Sequence, residues 1–512
     1  MNFQKSDRRV RRSSHYNPST MDRDVNFKDV TSRNEPFDFV IVGGGASGMG
    51  VALDAASRGF SCCLLEQNDF GKGTSSRSTK LIHGGVRYLR QGNISLVSEA
   101  LAERKLLLKN APHLVHLMPF VIPVYSKWDK FFYGTGLKVY DLLAGRNPGG
   151  KSRTLDVPTT LEKIPTAVSK NLSGGVMYFD AAFDDARLLI ALARMADKHG
   201  AKLLNYAKVE SIEHGSDGKV NGVKFKDGET MQSHTVRARC VINAAGPFGD
   251  AVRKLDDAAM ENRIRPSQGA HVVLDRSYLP SDSAMLIPKT ADGRLMFAIP
   301  WHEHVLVGTT DTDVQTATLE PRPLDEEIDF LLATAGRYLS KQPTRADVKS
   351  AFAGIRPLVK RGLGKTSALS RDFEVEISPN GLVSLMGGKW TSYRAMAEKC
   401  VDRAIESSGL LFEPCMTRDL PIEDLHGHDV TELAPSQGES AAEVLTAVRY
   451  EMARTVEDVL ARRLRTLQID AREAIRISRD VAMMIAEHRQ LPNDWVDTQV
   501  REFESLARGY LV

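Results

Sequence analysis

A glycine-rich turn between an apolar run and a helical pattern is the first candidate for ligand binding. Phe39–Val42 predicts a short buried strand, and Gly43-Gly44-Gly45-Ala46-Ser47-Gly48 follows it and opens a helical pattern that continues to Ser57. Such a unit presents free backbone N–H groups and the positive end of a helix dipole to a pyrophosphate. The spacing therefore predicts a Rossmann-type dinucleotide site with contacts at Gly43, Gly45, Ser47 and Gly48.

Positions far apart in the chain add to this site. Glu66 ends a second apolar run about 20 residues after Gly43, where its carboxylate can accept both ribose hydroxyls and disfavours the 2′-phosphate of NADP. Two more glycine turns follow apolar runs, Ala245–Gly246 and Gly388–Lys389, and the second leads to Thr391. Because NAD needs mainly the first turn and a flavin dinucleotide needs several contacts, the pattern favours FAD.

A hydroxyl-rich segment after Gly73 offers further contacts to a flavin. The candidates are Thr74, Ser75, Ser76, Ser78, Lys80, His83 and Gly84. Hydroxyls and a cation in one loop suit the pyrophosphate or the flavin ring. A Ser/Thr-rich loop with ordinary capping roles is the alternative.

Several ordered segments make the chain resemble the FAD-dependent glycerol-3-phosphate dehydrogenases, the respiratory quinone-linked enzymes. The segments, between about Asp38 and Arg462, are Gly73–Leu89, Leu96–Arg104, Val176–Asp180, Asp184–Arg187, Gly308–Asp311, Gly354–Pro357 and Gly387–Thr391. The resemblance implies that hydride moves from C2 of sn-glycerol 3-phosphate to FAD N5, giving dihydroxyacetone phosphate, with electrons passed to a membrane quinone. The alternatives are a related oxygen-using oxidase, of the glycerol-3-phosphate or amino-acid type, and an inactive flavin-binding scaffold.

The resemblance also implies roles in a substrate pocket. Arg87, Tyr88, Arg356 and Arg371 lie in segments similar to those that line the family's pocket. Bidentate arginines suit a phosphate, which carries about −1.5 to −2 charges at neutral pH, better than lysines do. Three residues are expected to be catalytic: Arg356, Lys389 beside the reduced flavin, and His271 as the base for the C2 hydroxyl proton. Surface or ion-pair roles are the alternative for each.

Composition limits the class of protein. The 512 residues carry 68 Lys and Arg against 65 Asp and Glu, and 42% of them are hydrophobic, which argues against a disordered chain and against a nucleic-acid binder. Five cysteines cannot form a disulfide framework in a chain of this length and indicate a reducing compartment. We predict no metal site.

The elements that must position these residues predict an α/β fold. The resemblance implies a Rossmann-like FAD-binding domain and an antiparallel-sheet substrate domain of the amino-acid-oxidase type, interleaved over residues 36–412. Helical patterns near 95–109, 184–199, 325–338 and 392–407 belong to this part, and Asn221-Gly222 predicts a hairpin turn. Residues 413–512 are expected to form an all-helical C-terminal domain. Residues 1–35 are expected to be a flexible basic tail, with a targeting peptide as the alternative.

An aromatic segment, Lys127-Trp-Asp-Lys-Phe-Phe-Tyr133 and the residues to Leu143, suggests a membrane surface. Aromatic residues interleaved with lysines suit the headgroup boundary, although a buried helix with aromatic core residues fits equally. The expected location is the cytoplasm, at the inner face of the cytoplasmic membrane, or the mitochondrial inner membrane in a eukaryote. The oligomeric state, with a homodimer as one option, stays open.

Overall fold

The computed structural model describes residues 21–85, 94–144, 150–360 and 373–512. The strands are β1 (Phe37–Val42), β2 (Cys62–Leu65), β3 (Leu81–Ile82), β4 (Val115–Val124), β5 (Arg153–Leu155), β6 (Gly174–Phe183), β7 (Lys202–Leu204), β8 (Ala207–His214), β9 (Val220–Asp227), β10 (Ser233–Asn243), β11 (Ile264–Asp275), β12 (Ala284–Ile287), β13 (Met296–Trp301), β14 (His304–Gly308), β15 (Thr312–Asp313), β16 (Ser350–Val359), β17 (Phe373–Ile377) and β18 (Val383–Gly387). The helices are α1 (Arg23–Thr31), α2 (Ala46–Ser57), α3 (Ile94–Asn110), α4 (Lys127–Ala144), α5 (Val157–Lys163), α6 (Asp185–Lys198), α7 (Gly249–Asp256), α8 (Asp325–Gly336), α9 (Tyr393–Ser408), α10 (Leu425–Gln437), α11 (Glu439–Tyr450), α12 (Thr466–Ile469), α13 (Ala471–Arg489) and α14 (Asn493–Arg508).

The first sheet is the nucleotide-binding layer. Strands β18, β10, β1, β2 and β7 run parallel in that order, β17 flanks β18 antiparallel, and β8 and β9 continue antiparallel from β10. Phe39 and Ile41 pack into the cluster that contains α2, α6 and α9, whereas Val40 and Val42 pack against the β8–β9–β10 ribbon. Because both faces of β1 are covered, its sequence is a continuous apolar run.

The second sheet is almost entirely antiparallel. Within the described residues it has ten strands, and β12–β4 is its one parallel pair. The registers place Arg356 of β16 opposite Ser267 of β11, and His271 of β11 opposite Gly308 of β14. Strands of this sheet alternate along the chain with strands of the first sheet, and the two sheets together confirm the expected fold class.

The C-terminal region is helical, as expected, and it packs against the second sheet. One hydrophobic cluster joins Val459, Leu460 and Val481 of this region to Val273 and Phe352 of β11 and β16. A π-helical segment, Asp458–Arg463, precedes α12. The helices therefore share a core with the sheet that carries the candidate substrate residues.

The predicted flexible tail needs correction from Met21 onward. Asp22 caps α1 by accepting hydrogen bonds from the amides of Asp24 and Val25. Arg23 is buried and pairs with Asp227, and Val30 packs in the cluster beneath the β8–β9–β10 ribbon. The sequence of α1 is polar enough to look solvated, and a buried ion pair with a distant strand orders it.

The hairpin predicted at Asn221-Gly222 also needs correction, because both residues lie inside β9. A Cβ on Gly222 would collide with the Val236 carbonyl of the neighbouring strand. The glycine therefore permits close strand pairing instead of a turn.

Candidate active site

Two cavities among the described residues are lined by predicted site residues. The larger of these two has a volume of about 600 Å³ and lies where β1, β2, β10 and β18 end. Ligands of open parallel sheets bind at this edge, and the volume is typical of a ligand site. Ten predicted cofactor residues line it: Gly43, Gly45, Ser47, Glu66, Thr74, Ser75, Ala245, Gly246, Gly388 and Lys389. Trp390 and the β8 residues Lys208–Glu210 also line it and were not predicted.

The glycine turn forms a backbone cradle at the start of α2. Gly43 has φ +110°, and a Cβ at this position would lie 2.8 Å from the Ala244 carbonyl oxygen. A Cβ on Gly48 would collide with the Gly43 carbonyl, so Gly48 lets the helix approach the turn without itself lining the cavity. Gly45 is the N-cap of α2 and brings no side chain to that position. The cradle therefore fits a phosphate group of a dinucleotide.

Glu66 lies at the end of β2 and is held by two backbone donors. The Gly44 amide donates to Oε2 at 2.7 Å and the Asn68 amide donates to Oε1 at 2.9 Å. Burial raises the pKa of this carboxyl group, and the two amide hydrogen bonds oppose that shift. A carboxylate has about four acceptor positions, so these bonds leave capacity for ribose hydroxyls.

Three residues predicted to contact the cofactor do not line the larger cavity. Ser76 is buried and its carbonyl accepts a hydrogen bond from Lys80 Nζ at 2.9 Å. The Asp185 carboxylate binds Lys80 Nζ at 2.7 Å and the Ser78 hydroxyl at 2.6 Å. Burial lowers the pKa of Lys80 to about 7, with Asp185 opposing the shift. The Ser76 carbonyl, the Ser78 hydroxyl and the Lys80 ammonium group are therefore engaged by contacts within the loop and with Asp185, the first residue of α6.

Gly84, Thr391 and His83, also predicted to contact the cofactor, likewise do not line the larger cavity. The Gly84 amide donates to Tyr140 Oη at 3.0 Å, and an added Cβ would lie 2.6 Å from the same oxygen, so this glycine permits packing of α4. Thr391 is buried in the turn before α9. His83 lines a second cavity instead of the larger one.

The smaller cavity, of about 140 Å³, is lined by side chains from the second sheet and its loops. Its polar lining includes Thr79, His83, Asp180, Arg294, Thr309, Asp311 and Arg356. Pro357 lines the larger cavity while its neighbour Arg356 lines the smaller one. The two cavities therefore approach each other at this point of β16.

Arg356 is fixed by oxygen acceptors around its guanidinium. Nη2 donates to Thr309 Oγ1 at 3.0 Å and to the Thr310 carbonyl at 3.1 Å. Nη1 donates to the Gln268 carbonyl and to Asp311 Oδ1, each at 3.3 Å. The side chain is about one-fifth exposed, so the group is oriented at the cavity wall while part of it stays accessible.

Arg294 and Asp311 line the smaller cavity and were missed by sequence reasoning. Arg294 Nη1 lies 3.6 Å from Asp311 Oδ2, so Asp311 lies between Arg294 and Arg356. Asp311 ends the Gly308–Asp311 segment, which could have identified it, whereas Arg294 lies in a turn that matches no motif.

Asp180 was also missed, although it ends a segment that carried the resemblance. It is buried on the wall of the smaller cavity, pairs with Arg104 and accepts the Tyr140 hydroxyl hydrogen at 2.9 Å. Burial raises the pKa of its carboxyl group, and Arg104 opposes that shift.

His271 does not line either cavity among the described residues. Its ring is buried and stacks on Phe352 with centroids 5.1 Å apart, and Nε2 lies 2.9 Å from Thr79 Oγ1. Burial, with Lys80 and Arg356 nearby, lowers the pKa of this imidazole well below its ordinary value. His271 therefore reaches the smaller cavity through the Thr79 hydroxyl.

Arg87, Tyr88 and Arg371, the other predicted substrate residues, lie outside the described residues.

Comparison with known proteins agrees with this architecture. Residues 38–394 match the family model described as FAD dependent oxidoreductase, and residues 416–495 match the C-terminal domain of alpha-glycerophosphate oxidase. The crystal structure of glycerol-3-phosphate dehydrogenase from Bacillus halodurans, complexed with FAD, is 30% identical, with a TM-score of 0.78 over 97% of this chain and 99% of that chain.

Two curated relatives are mitochondrial proteins. The probable glycerol-3-phosphate dehydrogenase of Caenorhabditis elegans is 42% identical over 77% of this chain and 56% of its own length. The glycerol-3-phosphate dehydrogenase of Mus musculus is 43% identical over 76% of this chain and 55% of its own length. The chain spans about half the length of these curated relatives. Together, the family model and the full-length match to the Bacillus structure show that the chain belongs to the FAD-dependent oxidoreductases and, within them, to the glycerol-3-phosphate dehydrogenase family.

Proposed function

We propose that this chain binds FAD in the larger cavity and oxidises sn-glycerol 3-phosphate to dihydroxyacetone phosphate. The observation that carries the proposal is the proximity of the two cavities, whose linings include the adjacent residues Arg356 and Pro357. A dinucleotide-sized cavity with a phosphate cradle at the start of α2 thus lies next to a small cavity that is lined by two arginines. The names of the relatives support the same substrate and cofactor.

Arg356 and Arg294 are the proposed phosphate ligands. Asp311 and the Thr310 carbonyl hold Arg356 in one orientation, which reduces the side-chain entropy that substrate binding would cost. A phosphate entering the cavity would compete with Asp311 for both guanidinium groups. Selectivity for a dianion follows, because a neutral polyol cannot compensate for weakening those ion pairs.

FAD, when bound, supplies the hydride acceptor. Lys389 lines the larger cavity, and we propose that its ammonium group stabilises negative charge on the reduced flavin. For the C2 hydroxyl proton we propose a relay in which Thr79 Oγ1 receives the substrate proton and passes its own to neutral His271 Nε2, 2.9 Å away.

The electron acceptor we propose is a membrane quinone, reached by peripheral binding through α4. Leu137 and Tyr140 of α4 are buried, whereas Trp128, Phe131, Phe132 and Leu142 are exposed, Trp128 at 75% and Leu142 at 81%. Exposed Lys127 and Lys138 accompany this apolar stripe, as suits a headgroup surface. None of the helices in the described ranges is both long enough and apolar enough to span a bilayer.

This arrangement leads to a proposed location at the inner face of a cytoplasmic membrane, or at the mitochondrial inner membrane if the source is a eukaryote. The mitochondrial relatives support the second location.

The test is anaerobic flavin bleaching with glycerol 3-phosphate, glycerol and lactate in parallel. We expect rapid bleaching with glycerol 3-phosphate alone, and dye-linked turnover in air without stoichiometric peroxide. Stoichiometric peroxide would favour the oxygen-using oxidase. Bleaching by lactate alone would contradict the phosphate assignment, and a protein that takes up no FAD would contradict the cofactor assignment.

A further inference from the structure

We infer that the helical C-terminal region positions the loop Asp69–Lys80 between the two cavities, with Arg465 as the principal positioning residue. The inference rests on the proposed function only in assigning FAD to the larger cavity. The loop is the natural target of such control because it lines both cavities: Gly71, Gly73, Thr74 and Ser75 line the larger one, and Thr79 lines the smaller one.

Arg465 reaches the loop from the turn between the π-helical segment and α12. Its side chain is 1% exposed, and Nη2 donates to the Ser76 carbonyl at 2.9 Å and to Asp185 Oδ1 at 2.8 Å. Lys80 of the loop binds the same carbonyl and the other Asp185 oxygen. The Arg465 guanidinium, the Ser76 carbonyl, the Lys80 ammonium group and the Asp185 carboxylate thus form a closed, buried ring of hydrogen bonds.

This ring connects directly to the cradle of the larger cavity. Ser76 follows Ser75, whose hydroxyl accepts the Ala46 amide hydrogen at 2.9 Å and whose carbonyl accepts the Trp390 Nε1 hydrogen at 2.7 Å. Ala46 is the first residue of α2, and Trp390 lines the same cavity. A shift of the Ser76 carbonyl therefore moves the residue that fixes the start of α2.

Other C-terminal residues hold the two flanks of the loop. At its start, the Asp69 carboxylate pairs with Arg462 and Arg463, and Lys72 Nζ lies 2.7 Å from Glu457 Oε2. Farther along, Arg77 pairs with Glu320 at 2.7 Å, and the Tyr510 hydroxyl donates to that carboxylate at 2.8 Å.

The composition of these contacts favours a positioning role. Replacing a buried ion pair by apolar side chains is often neutral for stability, because desolvation offsets most of the attraction. Directional bonds to one carbonyl and one carboxylate instead fix where the loop lies. The C-terminal region makes several such bonds to this one loop. We therefore expect these bonds to determine the geometry of the loop.

The experiment compares Arg465→Met and Arg465→Lys with the control Arg194→Met. Arg194 is equally buried and pairs with Asp429 at 2.7 Å, which ties α6 to α10. We measure amide hydrogen exchange of residues 69–80 in the cofactor-free protein and the Kd for FAD. For Arg465→Met we expect exchange in the loop at least about tenfold faster and FAD binding about ten- to a hundredfold weaker, with partial recovery in Arg465→Lys.

The control separates positioning from global stability. For Arg194→Met we expect unchanged loop exchange and unchanged FAD affinity even where the Tm falls. Wild-type loop exchange and FAD affinity in Arg465→Met, or equal effects in the control, would overturn the inference.

If Arg465→Met does not fold, Tyr510→Phe provides the test, because it removes the hydrogen bond to Glu320 and keeps the aromatic ring. We expect a two- to fivefold rise in exchange near Arg77, and no rise would overturn the inference.

The exchange measurement also separates this inference from the proposed function. A wild-type protein that binds no FAD would contradict the cofactor assignment, while faster loop exchange in Arg465→Met would still support the positioning role.

Discussion

The two cavities differ in the groups that would bind a ligand. In the larger one, backbone supplies the phosphate cradle, through a glycine turn, a helix N-terminus and strand ends. The smaller one is formed by side chains, and its charged groups are held by other charged groups, as Asp311 holds Arg356 and Arg294. The first site therefore depends on the space left by absent side chains, whereas the second depends on charge and orientation. Substitutions should separate the two.

The largest expected effect comes from adding one carbon to the larger cavity. In Gly43→Ala the new Cβ would meet the Ala244 carbonyl at 2.8 Å, in addition to about 1–2 kcal/mol of left-handed backbone strain. We expect FAD affinity to fall by more than about a hundredfold, measured by fluorescence titration, because overpacking a backbone cradle typically costs about 1–3 kcal/mol more.

The matched control is Gly59→Ala, which has φ +92° and no atoms within 4 Å of the new Cβ. It should lose a little stability and keep its FAD affinity. Similar FAD loss in both variants would show that strain, and not the cradle, explains the result.

In the smaller cavity, Arg356→Ala should lower kcat/KM for glycerol 3-phosphate by about a hundredfold at normal FAD content. A charge-assisted hydrogen bond contributes about 1.5–3 kcal/mol, and two are expected to one phosphate. Arg356→Lys should recover part of the loss, since an ammonium group keeps the charge without the paired geometry. Steady-state kinetics with glycerol as second substrate supply the control, and equal losses for both substrates would end the phosphate assignment.

Arg294→Ala should have a smaller effect of about tenfold on kcat/KM, because Arg294 lies farther from Asp311 and is also paired with Asp292. The control is Arg265→Ala in β11 of the same sheet, whose guanidinium is one-third exposed and pairs with the exposed Asp313. A surface ion pair contributes at most about 1 kcal/mol, so this control should leave kcat/KM within about twofold. If kcat/KM is unchanged in Arg294→Ala, Arg294 is not a phosphate ligand and Arg356 alone remains assigned to that role.

Changes on the exposed face of α4 should affect neither cavity. Phe131→Ser with Phe132→Ser should weaken binding to anionic vesicles by roughly tenfold or more, because a buried phenylalanine contributes about 1.5–3 kcal/mol and these rings enter the interface only in part. Vesicle sedimentation measures the change, with dye-linked activity in solution as the internal standard. Phe412→Ser is the control, since Phe412 is 66% exposed outside α4. Equal sedimentation of all three proteins would contradict the membrane proposal.

The smallest expected effect is on the pH dependence of the free energy of unfolding, and it concerns His271 behind the smaller cavity. Burial holds the pKa of His271 well below that of an unfolded histidine, so below about pH 6.5 the unfolded state binds more protons. The His271 contribution to the free energy of unfolding is thus present above that pH and declines on acidification, by at most about 1.4 kcal/mol per pH unit. Urea unfolding at pH 7.0 and 5.5 should show a smaller decline for His271→Gln than for wild type. An identical decline would mean that His271 is protonated in the folded state.

Much of the larger cavity could be predicted because its determinants are local. Gly43, Gly45 and Glu66 follow short apolar runs, and a strand–turn–helix unit brings them together whatever the rest of the chain does. The helical patterns at 95–109, 184–199, 325–338 and 392–407 were likewise confirmed to within a few residues, since each carries its own periodicity. Ser76, Ser78 and Lys80 were not, because a hydroxyl-rich loop looks the same whichever way its side chains point.

The sequence by itself determined the α/β pattern and the phosphate cradle, because strand runs, glycine spacing and helical periodicity act over a few residues, and the family followed from the resemblance of its ordered segments. Only the tertiary structure decided that Asp311 lies between Arg294 and Arg356, that His271 lies behind Thr79, and that Arg465 reaches the Ser76 carbonyl across 389 positions of the chain. These contacts join strands and loops distant in sequence, and their charges compensate one another only after the second sheet and the C-terminal helices have packed. Local patterns cannot encode such pairings, because many arginines and aspartates in the chain satisfy the same local rules.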